Sequence, residues 1–539
     1  MLVGPAQNGA DHSAHVAVVG TGPAGLALAL ALGDAGLDVL VLESGLEAPT
    51  AFAASLAAAA DAPGNHARLE DLGSRRLGGA SWTWGGRCVA YDPVDFEPRP
   101  GAEAPGWPVS HAEMMRTAAP AAAFLGIGPP DFGPPPVDLP GFPASVLERW
   151  SGLPQLMKRH GNALRDSTAV RVLLGTACTG LAINGQGLVE RLDGKTAGGR
   201  PVAIRADHVV LAAGGIENAR LLLRAFDELP ASAKPAWLGR GYMGHLAGSI
   251  ADVVLREEAA EALDYFLTGD GCYARRRLVI DSETARSQGL MNIGFHIDNP
   301  PLRNPDHRSA GLSAAALALS APGLRQALLS KTMSEVLVGP KLTRAEAAGH
   351  LANIARAPAS AIAFGAKAIW GRFSRPVRPG VIAKSRAGRY ALKFVAEQSA
   401  SYASHVSLSD ERDALGLPRV RIAPHFPGQD VESVLKAHES LDASLQAGGL
   451  GRLVYHAPPA RRAAAILAQA GDGYHQIGLA RMGRDIATSV TDENARVHGA
   501  RNLFVAGSAV FPTSGQANPT FLIVCQALRL ASYLIAARG

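Results

Sequence analysis

Residues 15–43 limit the fold more than any other stretch. His15-Val-Ala-Val-Val-Gly20-Thr-Gly22-Pro-Ala-Gly25 runs into an alanine- and leucine-rich segment and then into Val39-Leu-Val-Leu-Glu43. The apolar run before Gly20 predicts a buried strand, the glycines a tight turn, the segment after them a helix, and Val39–Glu43 a second buried strand. Gly20 makes the turn, Gly22 lets backbone approach a pyrophosphate, and Gly25 lets helix pack closely on strand. Phosphates would sit at the helix N-terminus, where free N–H groups and the helix dipole favour negative charge. Glu43 stands 18 residues beyond Gly25, where a carboxylate can accept hydrogen bonds from ribose hydroxyls and repel a 2′-phosphate. The expectation is a dinucleotide site that disfavours NADP.

Composition narrows the class. With 539 residues, 47% of them hydrophobic and 18% charged, the chain can bury a large core in two or more domains. A net charge of +5 is small for that length and gives no reason to expect a nucleic-acid partner. Cys88, Cys178, Cys272 and Cys525 are widely spaced, which argues against a disulfide scaffold, a zinc site or an iron–sulfur cluster. There is no secretory signal pattern and no stretch apolar enough to span a bilayer, so a cytoplasmic location is expected.

Residues 1–14 read as a flexible tail and Ala51–Ala60 as a surface helix. The next marked segment is Gly78-Gly79-Ala-Ser81-Trp82-Thr83-Trp84-Gly85-Gly86-Arg87. It is either a loop whose backbone lies against a flat ring walled off by aromatics, or an aromatic-capped turn in a core. Residues 144–166 predict a helix. Short strands separated by turns follow from Val170 to Ile204, a meander inserted in the nucleotide domain. Asp207-His-Val-Val-Leu-Ala-Ala-Gly214-Gly215 then returns to the parallel sheet. The domain reading is 15–249 and 466–539 for the nucleotide-binding part and 250–465 for a substrate domain, with Ser404–Ser409 and Arg419–Ile422 forming an antiparallel hairpin. Within the latter, residues 306–378 hold ten Lys or Arg against three Asp or Glu. That insertion reads as a solvated helical segment, or as a lid, a docking face for a redox partner, or a peripheral membrane contact.

The chemistry is concentrated near the C-terminus, in Gly473-Tyr474-His475-Gln476-Ile477-Gly478-Leu479 and in Gly507-Ser508 through Asn518-Pro519-Thr520. A histidine can take a hydroxyl proton at neutral pH, and an asparagine amide can hold the same oxygen. With these segments, Gly20–Gly25 with Glu43, Gly78–Arg87 with Asp95-Phe96 and Trp107-Pro108, Gly214–Leu223, Gly239–His245 and Ser407–Val420, the chain from Val16 to Leu534 resembles the glucose–methanol–choline (GMC) oxidoreductases.

The resemblance implies an α/β fold (α+β overall): a Rossmann-like FAD-binding domain with a second, antiparallel-sheet substrate domain, as in p-hydroxybenzoate hydroxylase. It implies FAD, His475 as catalytic base and Asn518 as its partner. Cofactor contacts are expected from Gly20, Gly22, Gly25, Glu43, Gly78, Gly79, Ser81, Trp84, Gly86, Gly214, Gly507, Ser508, Pro519 and Thr520, and from Val172 at the adenine end. It implies oxidation of an alcohol, by analogy a sugar, glycoside or polyol, with oxygen, a quinone or another redox protein as electron acceptor. A lyase that keeps FAD and a redox subunit serving a partner are the alternatives. The position of the histidine that binds FAD covalently in some members is Thr83 here, so FAD is expected to be non-covalent. Leu479 stands where the family often has threonine. No second dinucleotide fingerprint follows a strand, so electrons are expected from an alcohol, not from NAD(P)H.

Overall fold

A computed structural model describes the chain apart from residues 6–10, 65, 73, 100–101, 104, 134–141, 143–145, 231–232, 322, 326–340, 375, 386, 472 and 539. Two eight-stranded sheets carry the fold. The first runs β1 (Leu2–Val3), β6 (Val170–Leu174), β3 (Val39–Glu43), β2 (Asp11–Val19), β9 (Pro201–Leu211), β8 (Val189–Thr196) and β7 (Thr176–Ile183), with β18 (Leu503–Val505) also on β9. Pairing is parallel from β1 to β9 and on to β18, and antiparallel through β8 and β7. At its centre Val18 lies beside Val41 and Val210. All of β3 and the last four residues of β2 are buried, as expected of strands covered on both faces. Helix α1 (Pro23–Asp34) packs against the helix Thr520–Ala536, so its apolar residues are buried on two sides.

The second sheet is antiparallel: β17 (Gly451–Tyr455), β10 (His245–Leu255), β14 (Arg389–Glu397), β13 (Ile293–Asp298), β12 (Tyr273–Val279), β5 (Val146–Trp150) and β4 (Arg87–Cys88), with β11 (Phe266–Leu267) on β12. The hairpin β15 (His405–Arg412) and β16 (Pro418–Ala423) forms as expected, but as a sheet of its own. It buries Val406, Val420 and Ile422 against Ile216 and Tyr242.

Three expectations are corrected. The first residues are not a loose tail: Leu2 and Val3 pair with Val172 and Leu173, and β2 begins at Asp11, while residues 6–10 lie outside the described residues. Residues 144–166 are not one helix. Val146–Trp150 is a strand, and a helix begins only at Leu156, after Pro154. The strand carries Glu148 and Arg149, both buried, whose partners lie on other segments, so its pattern misleads in isolation. The second sheet draws β4 and β5 from before residue 250, because antiparallel pairing over long separations leaves no mark in composition.

Of the basic insertion, residues 326–340 lie outside the described residues. The described part holds the helices Ala310–Leu319, Arg344–Arg356 and Pro358–Phe373.

Candidate active site

Three glycine turns stand at the carboxyl ends of the parallel strands: Gly20 after β2, Gly214 after β9 and Gly507 after β18, with φ of 103°, 94° and 110°. That end of a parallel sheet is where ligands bind in such folds. At Gly20 a side chain is excluded, since a Cβ would lie 2.7 Å from the Ala212 carbonyl oxygen. At Gly25 a Cβ would lie 2.0 Å from the Gly20 carbonyl oxygen, so this glycine lets α1 close on the turn. Gly22 differs, because nothing lies within 4 Å of an added Cβ. It caps α1 with no side-chain hydrogen bond, leaving the helix N-terminus open to a ligand.

These turns face a cavity of about 1240 Å³, above the ~300–1,000 Å³ usual for a small ligand. Of the residues expected at the cofactor, Gly20, Gly22, Glu43, Gly79, Trp84, Gly214, Gly507, Ser508, Pro519 and Thr520 line it. The structure puts Gly25, Gly78, Ser81, Gly86 and Val172 outside its wall. Ser81 is fully buried and donates to the Gly78 carbonyl at 2.6 Å. A Cβ on Gly86 would lie 2.9 Å from Pro154, and Val172 sits in the sheet core between Val41 and Leu2. Each of these shapes the cavity by holding backbone.

Glu43 holds local backbone in place. It is buried, accepts from the Thr21 N–H at 3.2 Å, the Thr21 hydroxyl and the Gly45 N–H, and so fixes the fingerprint turn. The Thr21 hydroxyl in turn accepts from the Gly78 N–H at 3.0 Å, and a Cβ on Gly79 would lie 2.8 Å from the Gly22 Cα. The aromatic loop is thereby pinned on the glycine turn. An open helix end, a glycine-walled trough and a carboxylate at the next strand end fit an FAD, with Gly22 at the phosphates and Glu43 at a ribose.

His475 and Asn518 line the same cavity. Asn518 Nδ2 lies 3.0 Å from His475 Nε2, and His475 Nδ1 lies 2.9 Å from His245 Nδ1. With the amide donating, Nε2 holds the lone pair, and Nδ1–H donates to His245. Asn518 Oδ1 is buried with no hydrogen-bond partner, an acceptor suited to a hydroxyl. The segment is held at its neighbours: Gln476 Oε1 accepts from the Ile216 N–H at 3.1 Å, and Met243 and Ile477 exchange backbone hydrogen bonds at 3.0 Å. Sequence reading gave His245 no role, although it closes a segment already singled out.

Across the cavity stand Arg87, Trp150, Tyr265, Arg275, His296 and Asp298 of the second sheet and its edge. Sequence reading singled out Arg87 only as the end of the aromatic loop and missed the other five, the one signal being three consecutive arginines in a strand. Arg275 grips Glu148 through Nε and Nη2 at 2.9 and 2.5 Å, and Arg87 reaches the other oxygen at 3.2 Å. Burial alone would raise the Glu148 carboxyl, but Arg275, Arg87 and Arg277 hold it well below the usual range. Burial, aided by Arg275, pushes the His296 imidazole well below its ordinary value, so it is neutral, and its Nδ1 makes no hydrogen bond. Among the described residues there is no cluster that could hold a metal.

Comparison with known proteins agrees with the geometry. Residues 15–260 match the FAD binding domain family and residues 400–527 the GMC oxidoreductase family. A 123-residue stretch is 33% identical to paromamine 6′-oxidase of Streptomyces fradiae, covering 21% of this chain and 22% of that protein. Pyridoxine 4-oxidase from Mesorbium loti shares the fold over 96% of this chain and 99% of its own, at 18% identity and a TM-score of 0.52. A fungal aryl-alcohol oxidase does so over 97% and 99%, at 12% identity and 0.53. An FAD-dependent oxidoreductase from Chaetomium thermophilum does so over 97% and 99%, at 15% identity and 0.55. With two sheets, a glycine-lined cavity at the strand ends, a histidine–asparagine pair on its wall and matches to the FAD binding domain and GMC oxidoreductase models, the chain belongs to the GMC oxidoreductases.

Proposed function

We propose that this protein oxidises an alcohol group on a sugar, glycoside or polyol. The observation that carries the reading is the His475–Asn518 pair at 3.0 Å, set between the glycine turns and the polar wall of the second sheet. The aminoglycoside named in the paromamine 6′-oxidase match supports a sugar-like substrate.

A substrate hydroxyl that takes the place of the Asn518 amide N–H at His475 Nε2 gives up its proton to that lone pair. Asn518 orients the oxygen and donates to the developing alkoxide. His245 accepts from Nδ1 and keeps the ring in the tautomer that leaves Nε2 free of a proton. His296, Asp298 and Arg87 supply hydrogen-bonding groups for the remaining hydroxyls of a polyol. FAD, when bound, supplies the acceptor for the hydride that the carbinol carbon loses. Thr83 lines the cavity with its hydroxyl 3.1 Å from the Ala80 carbonyl, and offers no nitrogen for a covalent link, so the FAD is non-covalent. Intact-protein mass spectrometry showing added flavin mass after denaturation would refute that.

The test is the visible spectrum of the purified protein under anaerobic conditions, before and after pooled sugars and polyols. Bleaching of a flavin band by a subset of the pool is expected. A band untouched by any of them would overturn the substrate class. Peroxide formation on readmitting air would distinguish oxygen from a quinone or protein acceptor.

A further inference from the structure

The helix Pro358–Phe373 has one packed and one bare side. Phe364 covers Gly311 of the helix Ala310–Leu319, and Gly371 faces Arg378. On the other side Ile362, Ile369, Trp370 and Phe373 are 74%, 64%, 79% and 78% exposed. Their spacing puts them on one helical face. Ala359, Ala363 and Ala366 are exposed along the same face, and among the helix's described side chains Lys367 alone is charged. A water-facing helix normally carries charge there, and an apolar ridge ending in tryptophan and phenylalanine marks an interaction surface.

Three observations identify what covers it. The surrounding segment, residues 306–378, carries ten Lys or Arg against three Asp or Glu, and Arg308, Lys341, Arg344 and Arg356 are exposed. In a two-fold contact the same patch faces itself, so a second copy would bring this basic surface against its own image. One ridge of a 16-residue helix also falls short of the ~800 Å² per partner of a stable interface. An anionic lipid surface meets both features, taking apolar side chains at the acyl boundary and cations at the phosphates. Among the described residues no helix is long and apolar enough to cross a membrane, so the helix would lie in the interface plane. It is tied to the site: Lys367 and Arg378 reach the Asp264 carboxylate at 3.7 and 3.3 Å, and Arg378 donates to the carbonyl of Tyr265, which lines the cavity.

We propose that the protein docks reversibly on anionic bilayer surfaces through Ile362, Ile369, Trp370 and Phe373, steered by the basic residues around them. The test is co-flotation of the flavin-loaded protein with phosphatidylcholine vesicles, with and without phosphatidylglycerol. Binding is expected to the phosphatidylglycerol vesicles only, and to weaken with added salt. The triple variant Ile369→Ser, Trp370→Ser, Phe373→Ser should lose affinity by about tenfold or more, with the flavin spectrum and melting temperature unchanged. No binding to anionic vesicles, or equal binding by the triple variant, overturns the proposal. So does a dimer in light scattering that the triple variant dissolves, which would assign the ridge to a second copy.

Discussion

His475 is held at both ring nitrogens, by Asn518 at 3.0 Å and His245 at 2.9 Å. The contact with His245 holds the ring in one tautomer, so only the Asn518 amide has to turn for a hydroxyl to reach Nε2. Replacing the imidazole removes the proton acceptor and leaves the glycine turns intact. His475→Ala should therefore slow substrate-driven bleaching of the flavin by about two to four powers of ten, while the protein stays yellow. Stopped-flow absorbance measures both, and near-normal bleaching would remove His475 from the role. The same scale explains Glu148, whose carboxylate is surrounded by Arg275, Arg87 and Arg277. A buried charge is tolerated when paired, and here the pairing also fixes the Arg87 and Arg275 guanidinium groups at the cavity wall.

At the scale of elements, the strand–turn–helix of β2 and α1 lines the cavity at Gly22, where an added Cβ would project into open space. A branched side chain there would occupy that space, so Gly22→Val should yield folded protein that purifies colourless and takes up no FAD in a fluorescence titration. A second element prediction concerns the helix Gly428–Ala447, whose Asp430 accepts from the Ser399 N–H and hydroxyl at 2.9 and 2.5 Å. Burial, against the pull of those bonds, raises its carboxyl from 3.8 to about 6. The folded state thus favours the protonated form. Its contribution is complete below the unfolded value near 3.8 and is lost as pH rises through about 6. Asp430→Asn removes that penalty, and should raise stability above pH 6 by up to about 3 kcal/mol, seen as a higher melting temperature, with the gap closing near pH 4. Melting curves across that range read the sign directly.

For the molecule as a whole, the cavity is bounded by chain from Gly20 to Ile523 and by both large sheets. A ligand filling it bridges residues far apart in sequence and binds the folded state alone. Stripping FAD should lower the melting temperature, and adding it back should restore it, since a hundredfold excess over the dissociation constant adds about 3 kcal/mol of stability. Scanning calorimetry of apo and reconstituted protein checks this, and equal melting points would mean that the cavity is not held together by its ligand.

The sequence by itself determined the nucleotide half and named the residues of the proposed reacting pair. Apolar strands, glycines whose φ or packing admits no side chain, and a carboxylate at a fixed spacing are local signals, because backbone sterics act over a few residues. His475 and Asn518 were legible as types in marked segments, but their 3.0 Å approach depends on the return of the chain to the first sheet. What only the tertiary structure decided is the second sheet's wall of the cavity and the place of His245. Arg87, Glu148, Arg275 and His296 come from four strands, β4, β5, β12 and β13, spread over more than two hundred residues. Their charges compensate one another only after pairing, so in the linear chain they read as ordinary surface residues. The helix 144–166 failed for the same reason, since Glu148 and Arg149 look solvent-facing until the partners that neutralise them are in place.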